Sequence, residues 1–284
     1  MVSRVSPVWL VVIGILSVQL GAGIAKNLFD DADPMTLVWL RLLTSAVVLG
    51  LLVRPALRGR TSRDWQVAVA FGAALGTMNL AIYESMARIP LGLAVTIEFL
   101  GPLGLAVAGS RRARDLLWAA LAAGGVLLLG LEPGDLNRAG VGFALLAAAT
   151  WAAYILLSAS TGRRWPGLDG LTVASVVATV GMAPFLLAFS GRGLDDPHVV
   201  AVGALVGLLS SVIPYSCEIT ALRTIRPSVF GILMSLEPAA AALAGIVVVH
   251  EFLSVVQWVA VACVIAASVG ATRSESRLVA PAPD

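Results

Sequence analysis

The chain has 284 residues and a formal net charge of +2, and 58% of its residues are hydrophobic while only 13% are charged. A soluble domain of this length normally carries about a quarter charged residues, so the composition excludes an ordinary soluble protein. Together with a mean hydropathy of +0.92, the composition predicts an all-α integral membrane protein in contact with a lipid bilayer.

Ten apolar runs are predicted to cross the membrane, because about 20 helical residues span the apolar core of a bilayer. They cover residues 8–27, 35–53, 65–87, 91–109, 115–131, 140–160, 171–190, 199–221, 228–249 and 254–272. The fifth run is the shortest, and the loops between the runs are too short to hold a soluble domain. The chain is therefore predicted to form one membrane domain of ten helices.

Basic residues are distributed unevenly between the two sets of loops that connect these helices. Fourteen belong to the set that includes the termini, and four belong to the other set, namely Lys26, Arg88, Arg138 and Arg192. Cytoplasmic loops of membrane proteins carry the excess of lysine and arginine. The asymmetry therefore predicts that both termini lie in the cytoplasm.

The two halves of the chain resemble each other. When Pro102 is aligned with Pro238, the ten-residue windows around them agree at five positions, and the fifth and tenth runs share a tryptophan and a glycine at matching places. This predicts one five-helix repeat over residues 1–136, a second over 137–273 and a disordered cytoplasmic tail over 274–284. Because five is odd, the second repeat is inverted relative to the first, which is a recurrent transporter design.

Several motifs carry a resemblance to a known family and cover nearly the whole chain in order. They are VQLGAGIAKNLF at 18–29, LRL at 40–42, MNLAIY at 78–83, PLGLAVTIEFLGPL at 90–103, WAAYIL at 151–156, PYSCE at 214–218, FGILMSLEPA at 230–239, and Glu251 with Gln257. On these residues the chain resembles the threonine/homoserine exporter family of the drug/metabolite transporter superfamily. One departure is His250, which precedes Glu251 where the family usually has a small residue. The resemblance implies proton-driven export of small neutral amino acids, by alternating access, across the inner membrane of a bacterium.

Four charged side chains of the first half are predicted to lie toward the outer leaflet: Lys26, Arg41, Glu84 and Glu98. A charged side chain at the bilayer centre costs about 2.5–3.5 kcal/mol on insertion scales, so these groups need partners or a function. One interpretation is a packing cluster in which the four charges neutralise one another. The other is that Lys26 and Glu98 bind the carboxylate and ammonium groups of a zwitterion, whose charges are costly to bury unpaired.

Polar side chains recur at helical spacing beside the glutamates. Asn79 and Tyr83 are four residues apart and therefore share one helix face. The second half contains two comparable groups, which are Trp151 with Tyr154, and Ser211 with Tyr215 and Glu218. These stripes are predicted either to line a substrate cavity between the halves or to join helices through interhelical hydrogen bonds.

Glu237 is the predicted proton-coupling residue, and Glu218 is the second candidate for that role. No basic residue falls inside any predicted helix of the second half, so Glu237 would be desolvated without a nearby cation, which favours its neutral form. Arg223 and Arg226 could reach Glu218 more easily. The alternative is that Glu237, next to Pro238, only hydrogen-bonds backbone groups that are freed at a kink.

Other classes of function find little support in the sequence. An HExxH motif, an aspartate away from the ends of a predicted helix and a glycine-rich phosphate loop are all missing, which disfavours an enzyme, a metal site, a cofactor and an ATP-driven pump. No nucleic-acid partner is expected. Export of another small metabolite stays open, whether other amino acids, drugs or nucleotide-type solutes, because a fold does not fix a function. The sequence does not determine the oligomeric state, and a monomer is compatible with it.

Overall fold

The computed structural model describes residues 6–108, 113–128, 137–189, 191–222 and 227–276. Every regular element within these ranges is a helix. Eight helices are long and apolar enough to cross a membrane, and two shorter apolar helices complete a set of ten in the described part of the chain. The prediction of an all-α membrane fold with ten helices is therefore confirmed.

The ten helices follow the predicted runs to within a few residues. They are α1 (Pro7–Lys26), α2 (Pro34–Val53), α3 (Ser62–Met86), α4 (Leu91–Glu98 and Leu100–Ala108), α5 (Ala113–Leu128), α6 (Arg138–Gly162), α7 (Asp169–Phe189), α8 (Pro197–Gly207, Leu208–Val212 and Ile213–Leu222), α9 (Pro227–Met234, Glu237–Ala244 and Gly245–Val249) and α10 (Val255–Ser276). Proline opens α1, α2 and α8, where its missing N–H costs nothing. The end of α10 lies inside the predicted tail, and the rest of that tail lies outside the described residues.

Proline interrupts α4 and α9 at related places. Pro102 cannot donate a hydrogen bond to the carbonyl of Glu98, and α4 breaks at Phe99 between its two segments. Pro238 likewise leaves the carbonyl of Met234 without an N–H, and the first segment of α9 ends at that residue. Discontinuous helices of this kind place irregular backbone beside the binding site in many transporters.

The middle segment of α8 is a π-helical turn, and Pro214 follows it. Pro214 has no N–H to donate to the carbonyls of the preceding turn, so these carbonyls can accept hydrogen bonds from other helices. Ser17 Oγ in α1 donates to the carbonyl of Leu209 at 2.7 Å, and Arg41 Nη2 in α2 donates to the carbonyl of Ser210 at 3.1 Å. The proline thereby connects α8 of the second half with α1 and α2 of the first.

The two halves pack in a reciprocal pattern. Helix α1 lies against α8 and α9, and α6 lies against α3 and α4 in the same way. The pairs α2–α7, α4–α9 and α5–α10 each join equivalent helices of the two halves. Because each half contributes five crossings, α6 enters the membrane from the side opposite to α1, as expected for two inverted repeats. The boundary between residues 136 and 137 stays a prediction.

The crossing of α4 and α9 requires a glycine. A Cβ at position 92 would come within 2.6 Å of Ala242 Cα, so any residue larger than Gly92 would push the two helices apart. Small residues at such crossings let helix backbones approach closely inside a membrane. The close approach brings Glu98 of α4 and Glu237 of α9 to the same internal space.

Candidate functional site

A cavity of about 430 Å³ lies between the two halves, beside the breaks in α4 and α9. Its size falls within the range of about 300–1,000 Å³ that is typical of small-molecule sites. The polar and aromatic side chains that line it include Gln19, Arg41, Asn79, Tyr83, Glu98, Trp151, Tyr154, Ser210, Glu218, Glu237, Ser268 and Thr272. Both halves therefore contribute to one space in the interior of the helix bundle.

The structure brings seven of the ten predicted site residues to this cavity. They are Asn79, Tyr83, Glu98, Trp151, Tyr154, Glu218 and Glu237. Five helices supply them, and these helices meet where the two halves face each other. The functional roles of the seven residues stay predictions.

Asn79 and Tyr83 line the cavity from α3, and each has a polar atom without a hydrogen-bond partner among the described residues. They are 2% and 1% exposed. Asn79 Nδ2 donates to the carbonyl of Leu75 in its own helix at 2.8 Å, while Asn79 Oδ1 and the Tyr83 hydroxyl have no partner among the described residues. Among the described residues, neither side chain makes the interhelical hydrogen bond that the packing interpretation requires. Buried polar groups without partners instead indicate a place where a ligand or water binds.

Three carboxyl groups and one guanidinium group line the cavity, from Glu98, Glu218, Glu237 and Arg41. Glu237 is the most enclosed of the glutamates, at 7% exposed. Within the described ranges, none of the three carboxyl groups forms an ion pair with a basic residue. Opposite charges therefore share the cavity without touching each other.

Lys26 does not line this cavity. Its Nζ lies 2.5 Å from Glu251 Oε1 and donates to the carbonyl of Ile89 at 2.7 Å. The interpretation in which the four charges of the first half neutralise one another is therefore corrected, because the partner of Lys26 comes from the loop between α9 and α10. Glu84 pairs with Arg88, four residues along the chain.

Lys26 and Glu251 line a second hollow of about 570 Å³, which we call the Lys26 vestibule. Its other lining residues are Asn27, Phe29, Asp30, Met86, Ala87, Arg88, Ile89, Pro90 and Val249. Met86 lines both the vestibule and the cavity, so the two spaces are neighbours. His250, just before Glu251, has φ 63° and ψ 32°, the left-handed conformation that glycine favours. The turn therefore has a glycine-like backbone although a histidine occupies it.

Ser210, rather than Ser211, lines the cavity. The predicted face of Ser211, Tyr215 and Glu218 assumed an unbroken α-helix with 3.6 residues per turn. The π-helical turn before Pro214 adds one residue and so rotates the preceding part of α8 relative to the following part. Ser211 is buried at 5% exposure, and the side chain of Tyr215 lies outside the described part of the structure.

Four of the polar lining residues were not predicted from the sequence, and these are Gln19, Ser210, Ser268 and Thr272. Gln19 could have been found, because an amide in the middle of an apolar helix is itself a signal of function. Ser268 forms a hydrogen bond of 2.7 Å with Ser235 between the two side-chain oxygens, which joins α10 to the break in α9. Serine and threonine are too frequent in apolar helices for such pairs to be recognised from sequence.

Comparison with known proteins identifies a family. Residues 138–273 match the EamA-like transporter family. The chain is 36% identical to the threonine/homoserine exporter RhtA of Escherichia coli K12, over 97% of this chain and 96% of that protein. RhtA of Salmonella typhimurium LT2 is also 36% identical, over 95% of this chain and 94% of its own length. A crystal structure with 18% identity shares the fold, with a TM-score of 0.63 over 96% of this chain and 99% of that one.

The family match begins at the first residue of α6 and ends inside α10, so it covers the second five-helix half. Identity with the exporters extends the relationship through the first half as well. These relatives are transporters and not enzymes. The chain therefore belongs to the EamA-like transporter family of the drug/metabolite transporter superfamily, and it is a multi-pass membrane protein.

Proposed function

We propose that the protein is a secondary-active exporter of small neutral amino acids such as threonine or homoserine, with protons as the coupling ion. Full-length relatives bear the name threonine/homoserine exporter, and the chain covers nearly all of their length. The observation that carries the proposal is the cavity between the halves, whose polar atoms without a partner among the described residues suit a small zwitterion.

A zwitterion needs donors for its carboxylate and acceptors for its ammonium group, because either charge is costly to bury unpaired. The cavity supplies both from polar atoms that have no partner in the described part of the chain. The donors are Arg41 Nε, Tyr83 OH and Ser210 Oγ, and the acceptors are Gln19 Oε1 and Asn79 Oδ1. Glu98 adds the negative charge that an ammonium group requires.

Aromatic contacts limit the size of the substrate. Trp151 packs edge-on against Phe99 with ring centres 5.4 Å apart, and Tyr154 packs against Phe71 at 5.0 Å. Such aromatic pairs stabilise the positions of both rings. The cavity could widen on this side only by disrupting these contacts, which favours amino acids with small side chains.

Proton coupling is assigned to Glu237, with Glu218 as the second carboxyl group. Three carboxyl groups line the cavity with only one guanidinium group among the described lining residues. They could not all be ionised without uncompensated charge inside the membrane, which is costly. The cavity can therefore hold a proton and release it during transport. Arg223 and Arg226, which the sequence named as the basic residues nearest to Glu218, lie outside the described residues.

Alternating access requires that the cavity close on one side at a time. On the Lys26 side, the Lys26–Glu251 ion pair joins α1 to the α9–α10 loop, and Glu251 Oε2 accepts the N–H of Leu91 at 2.9 Å. Asn27 Nδ2 donates to the carbonyl of Val248, also at 2.9 Å. We assign these five residues, the Lys26 latch, to closure of the cavity on this side. In this assignment Lys26 acts at the entrance and not inside the cavity.

The protein is proposed to lie in the bacterial inner membrane with both termini in the cytoplasm and the Lys26 vestibule outside. Cysteine labelling should then find residues 54–64, 110–114 and 162–169 accessible only from the cytoplasm. The Asp64–Arg164 ion pair of 3.1 Å supports placing the first and third of these segments on one side. External labelling in any of the three segments would contradict this orientation.

Replacing Asn79 with alanine or Tyr83 with phenylalanine should weaken substrate affinity by about ten-fold or more. A hydrogen bond to a charged ligand group is worth roughly 1.5–3 kcal/mol, and each substitution removes an atom that is available for one. The concentration dependence of amino-acid exchange in reconstituted vesicles measures the effect, and expression and folding should stay largely intact.

Thr36→Val is the matched control for these two variants. Thr36 Oγ1 is also buried without a partner among the described residues, but Thr36 does not line the cavity. Valine has nearly the same shape, so affinity should not change. Normal kinetics of Asn79→Ala and Tyr83→Phe, together with reduced thermal stability, would favour the helix-packing interpretation instead.

Efflux of a panel of labelled amino acids from reconstituted vesicles, with and without an imposed pH gradient, tests the proposed function. Threonine and homoserine should be exported, and the gradient should drive their export against a concentration difference. Transport of drugs or nucleotide-type solutes without any amino acid would show that the substrate class is wrong. Export that never responds to the gradient would refute proton coupling.

A further inference from the structure

Arg41 is a charged side chain inside α2 that lines the cavity without an acidic partner in the described part of the chain. Charged groups inside membrane-spanning helices are costly and mark binding sites or ion pathways. Glu98 lines the same cavity but forms no ion pair with Arg41. A dipolar ligand between the two residues could satisfy both charges.

Two contacts hold the guanidinium group of Arg41 in place. Nη2 donates to the carbonyl of Ser210 at 3.1 Å, and Cζ lies 5.9 Å from the centre of the Tyr83 ring. The Ser210 carbonyl is available because Pro214 lacks the N–H that would bond it in an α-helix. Arg41 Nε has no partner among the described residues. A guanidinium group fixed through one nitrogen, with another unused, loses little freedom when it binds a carboxylate.

We propose that Arg41 binds the carboxylate of the substrate and that Pro214 is a positioning residue, which orients Arg41 through the Ser210 carbonyl. This inference rests on the proposed amino-acid transport and adds a rule of selection, namely that the substrate must carry a carboxylate. Glu98 takes the ammonium group in the same cavity. An amino-acid amide keeps the ammonium group and the side chain but lacks the carboxylate, so it is the diagnostic competitor.

A purely structural role of Arg41 predicts a different pattern. If Arg41 only balances the charge of Glu98 or joins α2 to α8, its replacement would weaken the binding of every compound alike. Loss of carboxylate recognition would instead affect only the compounds that carry a carboxylate. The ratio between the binding strengths of an amino acid and its amide therefore separates the two roles.

The experiment is exchange of labelled threonine in vesicles that contain the full-length protein, with unlabelled threonine or threonine amide as competitor. In the wild type, the amide should compete roughly ten- to a hundred-fold less strongly, because hydrogen bonds to a charged group are lost. Arg41→Gln should weaken competition by threonine by about that factor and leave competition by the amide unchanged. The strengths of the two competitors should then become nearly equal. Arg41→Lys, which keeps the charge without the planar fork of donors, should give an intermediate ratio.

Pro214→Ala tests the positioning role, because it restores an N–H that competes for the Ser210 carbonyl. Competition by threonine should weaken by about three- to ten-fold and competition by the amide should not change. Pro184→Ala is the control, since Pro184 lies inside α7 and does not line the cavity. Pro184→Ala should change neither the competition by threonine nor the competition by the amide. Thermal stabilisation of the purified variants by the same two compounds gives a second reading where exchange is too slow to measure.

The possible outcomes distinguish this inference from the proposed function. If the amide competes as well as threonine in the wild type, or if Arg41→Gln keeps the wild-type ratio, the inference is overturned while amino-acid export stands. If wild-type vesicles exchange no amino acid, both are overturned. Equal effects of Pro214→Ala and Pro184→Ala would refute the positioning role of Pro214.

Discussion

Replacing Glu237 with glutamine should retain exchange of substrate across the membrane but abolish uphill transport driven by a pH gradient. Glutamine keeps the shape of the side chain and cannot take up or release a proton. Glu237 is buried and lines the cavity, so a proton bound there lies next to the substrate. Two assays on the same vesicles measure the effect. The first is substrate exchange at equal pH, and the second is substrate accumulation under an imposed pH gradient.

Glu98→Gln is the contrasting variant and should depress both assays, because Glu98 is proposed to bind the substrate itself. Loss of a charged partner should weaken binding by roughly ten- to a hundred-fold. Glu84→Gln is the control, since Glu84 pairs with Arg88 and does not line the cavity. Full pH-driven accumulation by Glu237→Gln would show that the assignment of proton coupling to this residue is wrong.

The alternative role of Glu237 is to hydrogen-bond backbone groups freed at the kink beside Pro238. Glu237 opens the second segment of α9, and its side chain donates or accepts no hydrogen bond within the described residues. The break is instead stabilised by Ser235, whose hydroxyl donates to the carbonyl of Gly231 at 2.9 Å. This geometry favours the transport role.

Replacing Lys26 with methionine should impair uphill transport and open the cavity toward the Lys26 vestibule. The substitution removes the ion pair with Glu251 and the hydrogen bond to the Ile89 carbonyl. If the closed form thereby loses roughly 1.5–3 kcal/mol of stabilisation, the equilibrium between closed and open forms shifts by about ten- to a hundred-fold toward the open form. Labelling of a cysteine placed at Ala22, which lines the cavity, should become correspondingly faster from the vestibule side.

All labelling uses a background in which both native cysteines are replaced by alanine. Two further variants make this test of the latch sharper. Glu251→Gln can still accept the N–H of Leu91 but loses the ion pair, so its effect should be smaller and in the same direction. Arg88→Gln is the control, because Arg88 lines the same vestibule but contacts Glu84 and Phe143, which do not belong to the latch. Unchanged labelling in Lys26→Met would refute the latch and return Lys26 to the candidates for substrate contact.

The number and the bounds of the helices could be predicted from the sequence because the length of an apolar run measures directly whether it crosses a bilayer. Charged and strongly polar residues inside such runs are rare and costly, so Asn79, Glu98 and Glu237 could also be identified from the sequence. The breaks of α4 and α9 beside Pro102 and Pro238 have an equally local reason, a missing N–H.

Tertiary structure alone decided which of these groups meet. The ion pair of Lys26 with Glu251 joins opposite ends of the chain, and neither residue carries a local pattern that names the other. The hydrogen bond from Arg41 goes to a backbone carbonyl, an acceptor that every residue possesses and that sequence cannot single out. The π-helical turn that brings Ser210 rather than Ser211 to the cavity packs against α1 and α2, which are distant in the chain. Local chemistry thus determined the helices and most of the candidate residues, whereas contacts between distant segments determined the pairing of the charges.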